Sequence, residues 1–264
     1  MIKINTLYSI LFALLLTACG NCEKRTSINF IAHAGGAVEG VTMTNSREAL
    51  LTARDNGFKF IELDLLFTAD SMLVACHSWQ EYNRAMGKKE KGSEPPTLND
   101  FLSNELPGGF TPLSATEIND FFLSHDSIYF VTDKISDAKV LNKFFPKLKK
   151  RMMVEAFNYQ DYTELIKDGY AYVSYSCMAE DIETAPIKHL ALHLLFPGKK
   201  IADVALHTSA LDYIYLKFLK AIADFKIMLF TVNDLKEIPR EYIKDISFIY
   251  TDSLVPAKEK MLSE

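Results

Sequence analysis

The chain has 264 residues, 48% of them hydrophobic, and a formal net charge of −5. That is enough apolar material for a sizeable core, which excludes a disordered or low-complexity protein, and the acidic balance leaves no basic footprint for a nucleic acid. The four cysteines, 19, 22, 76 and 177, have no zinc-type spacing.

Residues 1–18 read as a secretory signal. Lys3 supplies a positive start, Leu7 to Leu16 is a short apolar run, and Leu16-Thr17-Ala18-Cys19 fits the cleavage site of a bacterial lipoprotein. The run is short for a bilayer span, so lipidation of Cys19 is expected over a retained helix, with 19–27 as a polar tether. The chain is then an exported lipoprotein of a bacterial cell envelope, held to a membrane through its lipid. About 245 residues remain, the usual length of a single α/β barrel domain.

Strand one is expected at Ile28 to His33, followed by the turn-permitting Gly35-Gly36. Thr44-Asn45-Ser46-Arg47-Glu48 opens the first helix, with Asn45 as N-cap and Glu48 completing a capping-box-like start; Gly57 ends it. Phe58 to Phe67 is strand two. Leu73 to His77 is strand three, after a tight turn at Asp70-Ser71. From Ser78 to Asn119 the pattern loosens into short helices and loops around a polar stretch at Lys88 to Pro96. Strand four is expected at 127–133, a helix at 137–150, strand five at 152–157, a helix at 159–168 and strand six at 171–175. A helix at 182–196, strand seven at 201–206, a helix at 211–224, strand eight at 226–232 and a final extended piece at 248–251 complete the chain. Alternating apolar strands and helices imply a parallel sheet covered on both faces. Eight such units over 28–264 predict a single-domain (β/α)8 TIM barrel, with an open doubly wound sheet as the alternative.

The chemistry concentrates at predicted strand exits. Glu62 and Asp64 stand one residue apart on strand two, so they point the same way. Two buried like charges are costly without a counterion, and a hard divalent cation would offset them. Their bland alternative is solvent exposure or pairing with Lys or Arg. His33 and His77 bracket this pair. A lone strand-end histidine is usually structural; two flanking an acidic pair suit proton transfer near neutral pH. Which is acid and which base stays open.

The order of these motifs resembles the glycerophosphodiester phosphodiesterase family. The resemblance rests on His33-Ala34-Gly35, Asn45-Ser46, Glu62-Leu63-Asp64, Thr68-Ala69-Asp70, Val74-Ala75-Cys76-His77, Phe230-Thr231-Val232-Asn233 and Tyr250-Thr251-Asp252. It implies a TIM-barrel phosphodiesterase that uses Ca or Mg. The chain also departs from that pattern. Ala34 stands where the family has a phosphate-contacting Arg, Thr44 where it has Glu, and Ser78 where it has Asp. On strand four the family's Glu and Lys are two apart, whereas Asp133 and Lys134 are adjacent here. Either the strand bulges or Asp133 is not the third ligand.

The site expected on this basis has His33 and His77 as acid and base, and Glu62, Asp64 and Asp133 on the metal. Lys134, Glu155, Asn45 and Trp79 are the substrate-side candidates. Glu155 is a replacement ligand or a salt-bridge partner of Lys134. Asn45 caps its helix or bonds the phosphate or a ligand. Trp79, the only Trp, walls a headgroup or packs a loop. Asn233 is expected as a helix cap. His125, His189, His193 and His207 have no supporting pattern, and Cys76 is expected as a buried thiol in preference to a disulfide with Cys177. The activity expected is hydrolysis of glycerophosphodiesters or related lipid-headgroup phosphodiesters. Two alternatives stay open: a phospholipase-type relative forming a cyclic phosphate, and a non-catalytic barrel that binds a phosphoglycan or lipid.

Overall fold

The computed structural model describes residues 28–87, 94–176, 203–207, 226–240 and 242–256. The signal and tether segments, the helices expected at 182–196 and 211–224, Cys177, His189 and His193 lie outside the described residues.

Eight parallel strands close into a barrel. β1 (Asn29–Ala32) pairs with β2 (Phe60–Phe67) on one side and with β9 (Ile246–Thr251) on the other. The ring continues from β2 through β4 (Tyr129–Asp133), β5 (Met152–Ala156), β6 (Tyr172–Ser176), β7 (Asp203–His207) and β8 (Lys226–Phe230) to β9. The expected third barrel strand is not one of them. β3 (Leu73–Ala75) runs antiparallel to β2, with Leu65 opposite Ala75. The link from Thr68 to Met72 is a tight turn, with Thr68 N–H on the Met72 carbonyl at 2.9 Å and Ser71 at φ 59°. A parallel partner would need a crossover of a dozen residues or more. The piece expected as a final extended segment, β9, is the strand that closes the ring.

Period-two alternation sorts the side chains. Ile61, Leu63, Phe130, Val154 and Leu229 face outward into the main core. There they meet Leu50 of α1 (Arg47–Asp55), Phe122 of α4 (Ala115–Ser124), Leu141 of α5 (Ala138–Phe144) and Leu165 of α6 (Tyr159–Asp168). Ile31, Phe60, Val131, Met153, Met228, Phe248 and Tyr250 fill the inside of the barrel, which is therefore a packed core and no pore. A third cluster lies over β3, where Val74 and Cys76 meet Tyr82 of α2 (Trp79–Ala85) and Phe101 of α3 (Leu98–Leu102).

Two helix boundaries differ from expectation. The helix expected at 137–150 stops at Phe144, because Pro146 disfavours helical backbone at Phe145, which sits at φ −127° and ψ 53°; a 3-10 turn at Lys149–Arg151 follows. The cap of α1 is Ser46, whose hydroxyl accepts the Ala49 N–H. Asn45 has φ 50° and sends its side chain elsewhere, and Glu48 binds the Thr111 backbone and hydroxyl instead of closing a box. Among the described residues no helix is long and apolar enough to cross a membrane.

Candidate active site at the C-terminal mouth of the barrel

The polar side chains of the barrel interior gather at the carboxyl ends of the strands, above the apolar filling. Glu62 and Asp64 point inward from β2, and Asp133 sits directly across the ladder from Asp64. One oxygen of each lies within 4.8 Å of the others. Glu62 Oε2 accepts the Ala34 N–H at 2.6 Å; its Oε1 is buried and has no hydrogen-bond partner. Asn45 clamps Asp64 at both ends: its Nδ2 donates to Oδ2 at 2.8 Å, and its Oδ1 accepts the Asp64 N–H at 2.9 Å. Of the two roles expected for Asn45, capping is thus replaced by orientation of an acid.

Burial, reinforced by the charges of Asp64 and Asp133, holds the Glu62 carboxyl well above the usual range. Burial and then the Asp64 charge push Asp133 up to about 6. Against these three acids stands Lys134, 3.2 Å from Asp64 Oδ1. One lysine cannot balance three carboxylates; a divalent cation beside it would. Three convergent carboxylates, one of which has an unpartnered oxygen, are the donor set a hard cation takes. Residues Glu62, Asp64 and Asp133 therefore fit such an ion.

Both acid and base of β4 reach the centre, and the strand does not bulge. β4 ends at Asp133, and the chain turns at once: Ile135 N–H bonds the Asp133 carbonyl at 2.9 Å around Lys134 at φ 69°. That turn swings the next side chain to the same side, which two successive residues of a strand cannot share. Lys134 Nζ also donates to the His77 carbonyl at 2.6 Å.

Each histidine is held by a carboxylate on Nδ1. His33 meets Asp252 Oδ1 at 2.8 Å. Asn233 Nδ2 donates to Asp252 Oδ2 at 2.9 Å, and Asn233 Oδ1 accepts the Asp252 N–H at 2.8 Å. Burial acts to raise the Asp252 carboxyl, but the bonds from His33 and Asn233 outweigh it and leave it below its ordinary value. Asn233 is accordingly not a helix cap; Asp234 fills that role, accepting the Lys236 N–H. At the same mouth, just past β3, His77 meets Glu81 Oε2 at 2.8 Å. The two histidine backbones flank the acids, since Ala34 N–H bonds Glu62 and Lys134 ties the His77 carbonyl to Asp64.

Glu155 faces the same interior but is not one of the three converging acids. Neither role expected for it holds: it makes no ion pair with Lys134, and its oxygen lies 3.5 Å from the Tyr250 hydroxyl. Burial, then the Asp133 charge, push it up to about 8, against hydrogen bonds from Ser176 and Tyr250 that pull it down. Trp79 packs. Its indole N–H donates to the Phe67 carbonyl at 3.0 Å, and its ring meets Tyr82 and Phe101 edge-on. Cys76 is a free buried thiol, raised to about 12 by burial.

Asp252, Asn233, Glu81 and the Ala34 N–H escaped sequence reasoning as site residues. Asp252 had a signal, since it follows a strand as His33 does. The Ala34 contact had none, because backbone donors carry no residue code.

No family model matches the chain, and no curated protein matches it in sequence. Solved structures do match in fold. A glycerophosphodiester phosphodiesterase from Parabacteroides distasonis shares 21% identity over 91% of this chain and 98% of its own, with a TM-score of 0.67. One from Thermotoga maritima shares 17% over 90% and 100%, with a TM-score of 0.69. An Oleispira antarctica phosphodiesterase, solved with its product sn-glycerol-3-phosphate, shares 17% over 89% and 97%, with a TM-score of 0.64. At these identities the likeness establishes the barrel: the chain has the fold of the glycerophosphodiester phosphodiesterases.

Proposed function

We propose that this chain is a metal-dependent phosphodiester hydrolase of the glycerophosphodiester phosphodiesterase family, acting on glycerophosphodiesters or related lipid-headgroup phosphodiesters. One observation carries the reading: two buried carboxylates, one with an unpartnered oxygen, and a half-buried third converge between two carboxylate-held histidines. Glu62, Asp64 and Asp133 hold the cation, Ca or Mg, whose bound charge polarises a phosphoryl oxygen. Lys134 offers a positive charge to the phosphate where the sequence lacks the family's arginine at position 34. His33 and His77, each engaged at Nδ1, present Nε2 to the substrate. One removes the proton of the attacking hydroxyl, and the other returns a proton to the departing alkoxide. The approach of both Asp133 and Lys134 to Asp64 supports an enzyme over a catalytically inert barrel. Export through residues 1–18 and anchoring through a lipid on Cys19 complete the proposal.

Turnover of glycerophosphocholine and bis(p-nitrophenyl) phosphate with Ca or Mg tests it. His33→Ala and Glu62→Ala should each lower turnover by roughly 10²–10⁴-fold. Wild-type turnover no higher than that of the variants would leave the binding module standing. A cyclic phosphate as end product would instead identify the lyase-type relative.

A further inference from the structure

The same four-residue pattern opens two helices of this chain. α4 begins Ser114-Ala115-Thr116-Glu117, and its glutamate closes the box in the ordinary way, with Oε2 accepting the Ser114 N–H at 2.9 Å while the Ser114 hydroxyl accepts the Glu117 N–H. α2 begins Ser78-Trp79-Gln80-Glu81. The Ser78 hydroxyl again accepts the N–H of the glutamate, yet the carboxylate of Glu81 goes to the Nδ1 of His77 at 2.8 Å. Within one molecule, then, the capping residue at the barrel mouth is diverted from its helix to a histidine. His77 is also fixed from behind, since its carbonyl accepts from Lys134 Nζ. A ring held at Nδ1 by a carboxylate keeps its proton there when neutral, which leaves Nε2 bare and fixes the ring's direction.

We propose that Glu81 is a positioning residue for His77, setting its tautomer and its aim at the substrate. It answers, from a helix start, the hold that Asp252 has on His33 from a strand end. This inference rests on the site reading above. Glu81 itself touches no reacting atom.

The test compares wild type, Glu81→Ala, Glu81→Gln and Glu117→Ala. Glu81→Ala is expected to lower kcat by roughly 10–100-fold with KM within about twofold, the size of effect seen when a histidine loses its outer carboxylate. Glu81→Gln, which keeps an acceptor oxygen, should recover part of that loss. Glu117→Ala, the same change at a helix start whose glutamate pairs with Arg47 and touches neither histidine, should leave kcat within about twofold of wild type and the His77 ring spectrum unchanged. A second readout needs no activity: nitrogen NMR of the His77 ring at alkaline pH should show the proton on Nδ1 in wild type and a mixture of tautomers in Glu81→Ala. An unchanged kcat, a loss confined to KM, or ring spectra identical in wild type and Glu81→Ala would overturn the proposal. A wild-type chain that turns over no phosphodiester sinks the site reading instead, and the ring spectra then still decide whether Glu81 holds His77.

Discussion

Lys134 would compete with a bound cation for Asp64, since its Nζ sits 3.2 Å from Asp64 Oδ1. Lys134→Gln is therefore expected to act in two directions. Cation affinity, read by calorimetry, should tighten roughly threefold to tenfold as the pairing charge leaves. Turnover should fall by roughly 10²–10³-fold as the phosphate loses a positive partner. Glu155 gives a pH prediction. Its unfolded carboxyl releases its proton near 4.5, whereas the folded one keeps it up to about 8. Between those values the folded state binds more protons, so stability of the cation-free protein falls as pH rises through that window. Thermal unfolding followed from pH 5 to 8 should show this fall, and Glu155→Gln should flatten it and raise the midpoint at pH 8. At this scale the sequence shows which residue types carry the chemistry but not all their partners. Glu62, Asp64, His33 and His77 stand out because charge in an apolar strand needs a reason. Asp133 and Lys134 did not resolve, because one φ of 69° decides whether adjacent residues share a face.

The corner between β1 and α1 shows how elements build the site. Gly35 has φ 86°, and a Cβ there would come within 2.5 Å of Ala49 Cβ. That close approach seats α1 against the end of β1, with Ala34 N–H on Glu62 and Asn45 on Asp64. Gly35→Ala combines backbone strain with overpacking and should cost roughly 2–4 kcal/mol, measured by denaturant unfolding. Loss of cation affinity should accompany it, because the carboxylate orienters move with the corner. Strand positions were legible here because parallel barrel strands are buried on both faces and read as apolar runs. What the runs do not encode is pairing direction. β3 looked like a barrel strand by composition, and only its five-residue link to β2 marks it as a hairpin arm. Helix ends were legible at α6, which spans 159–168 as expected, and misplaced at Pro146, where α5 stops short, and at Asn45, whose amide serves Asp64 in place of its own helix.

For the whole molecule, closure follows from β9 returning to β1, and every candidate catalytic group lies at one end of the ring. The chain enters the ring at the other end: Asn29 opens β1, while His33 stands just beyond its close. Nine peptide units separate Cys19 from Ile28 and reach at most about 32 Å, whatever their path. A domain of about 240 residues is roughly 45 Å across. A lipid on Cys19 would thus suspend the enzyme with its opening turned outward, like a cup standing on its base. In that posture the opening would face diesters that arrive dissolved in water, already stripped of their acyl chains. Trp79, the only Trp, lies beside His77 on the outward rim and serves as an altimeter. With the lipidated protein on vesicles, energy transfer from Trp79 to a dansyl headgroup should stay near zero. It should become measurable when the sole Trp is moved to the opposite end by Trp79→Phe with Ser127→Trp.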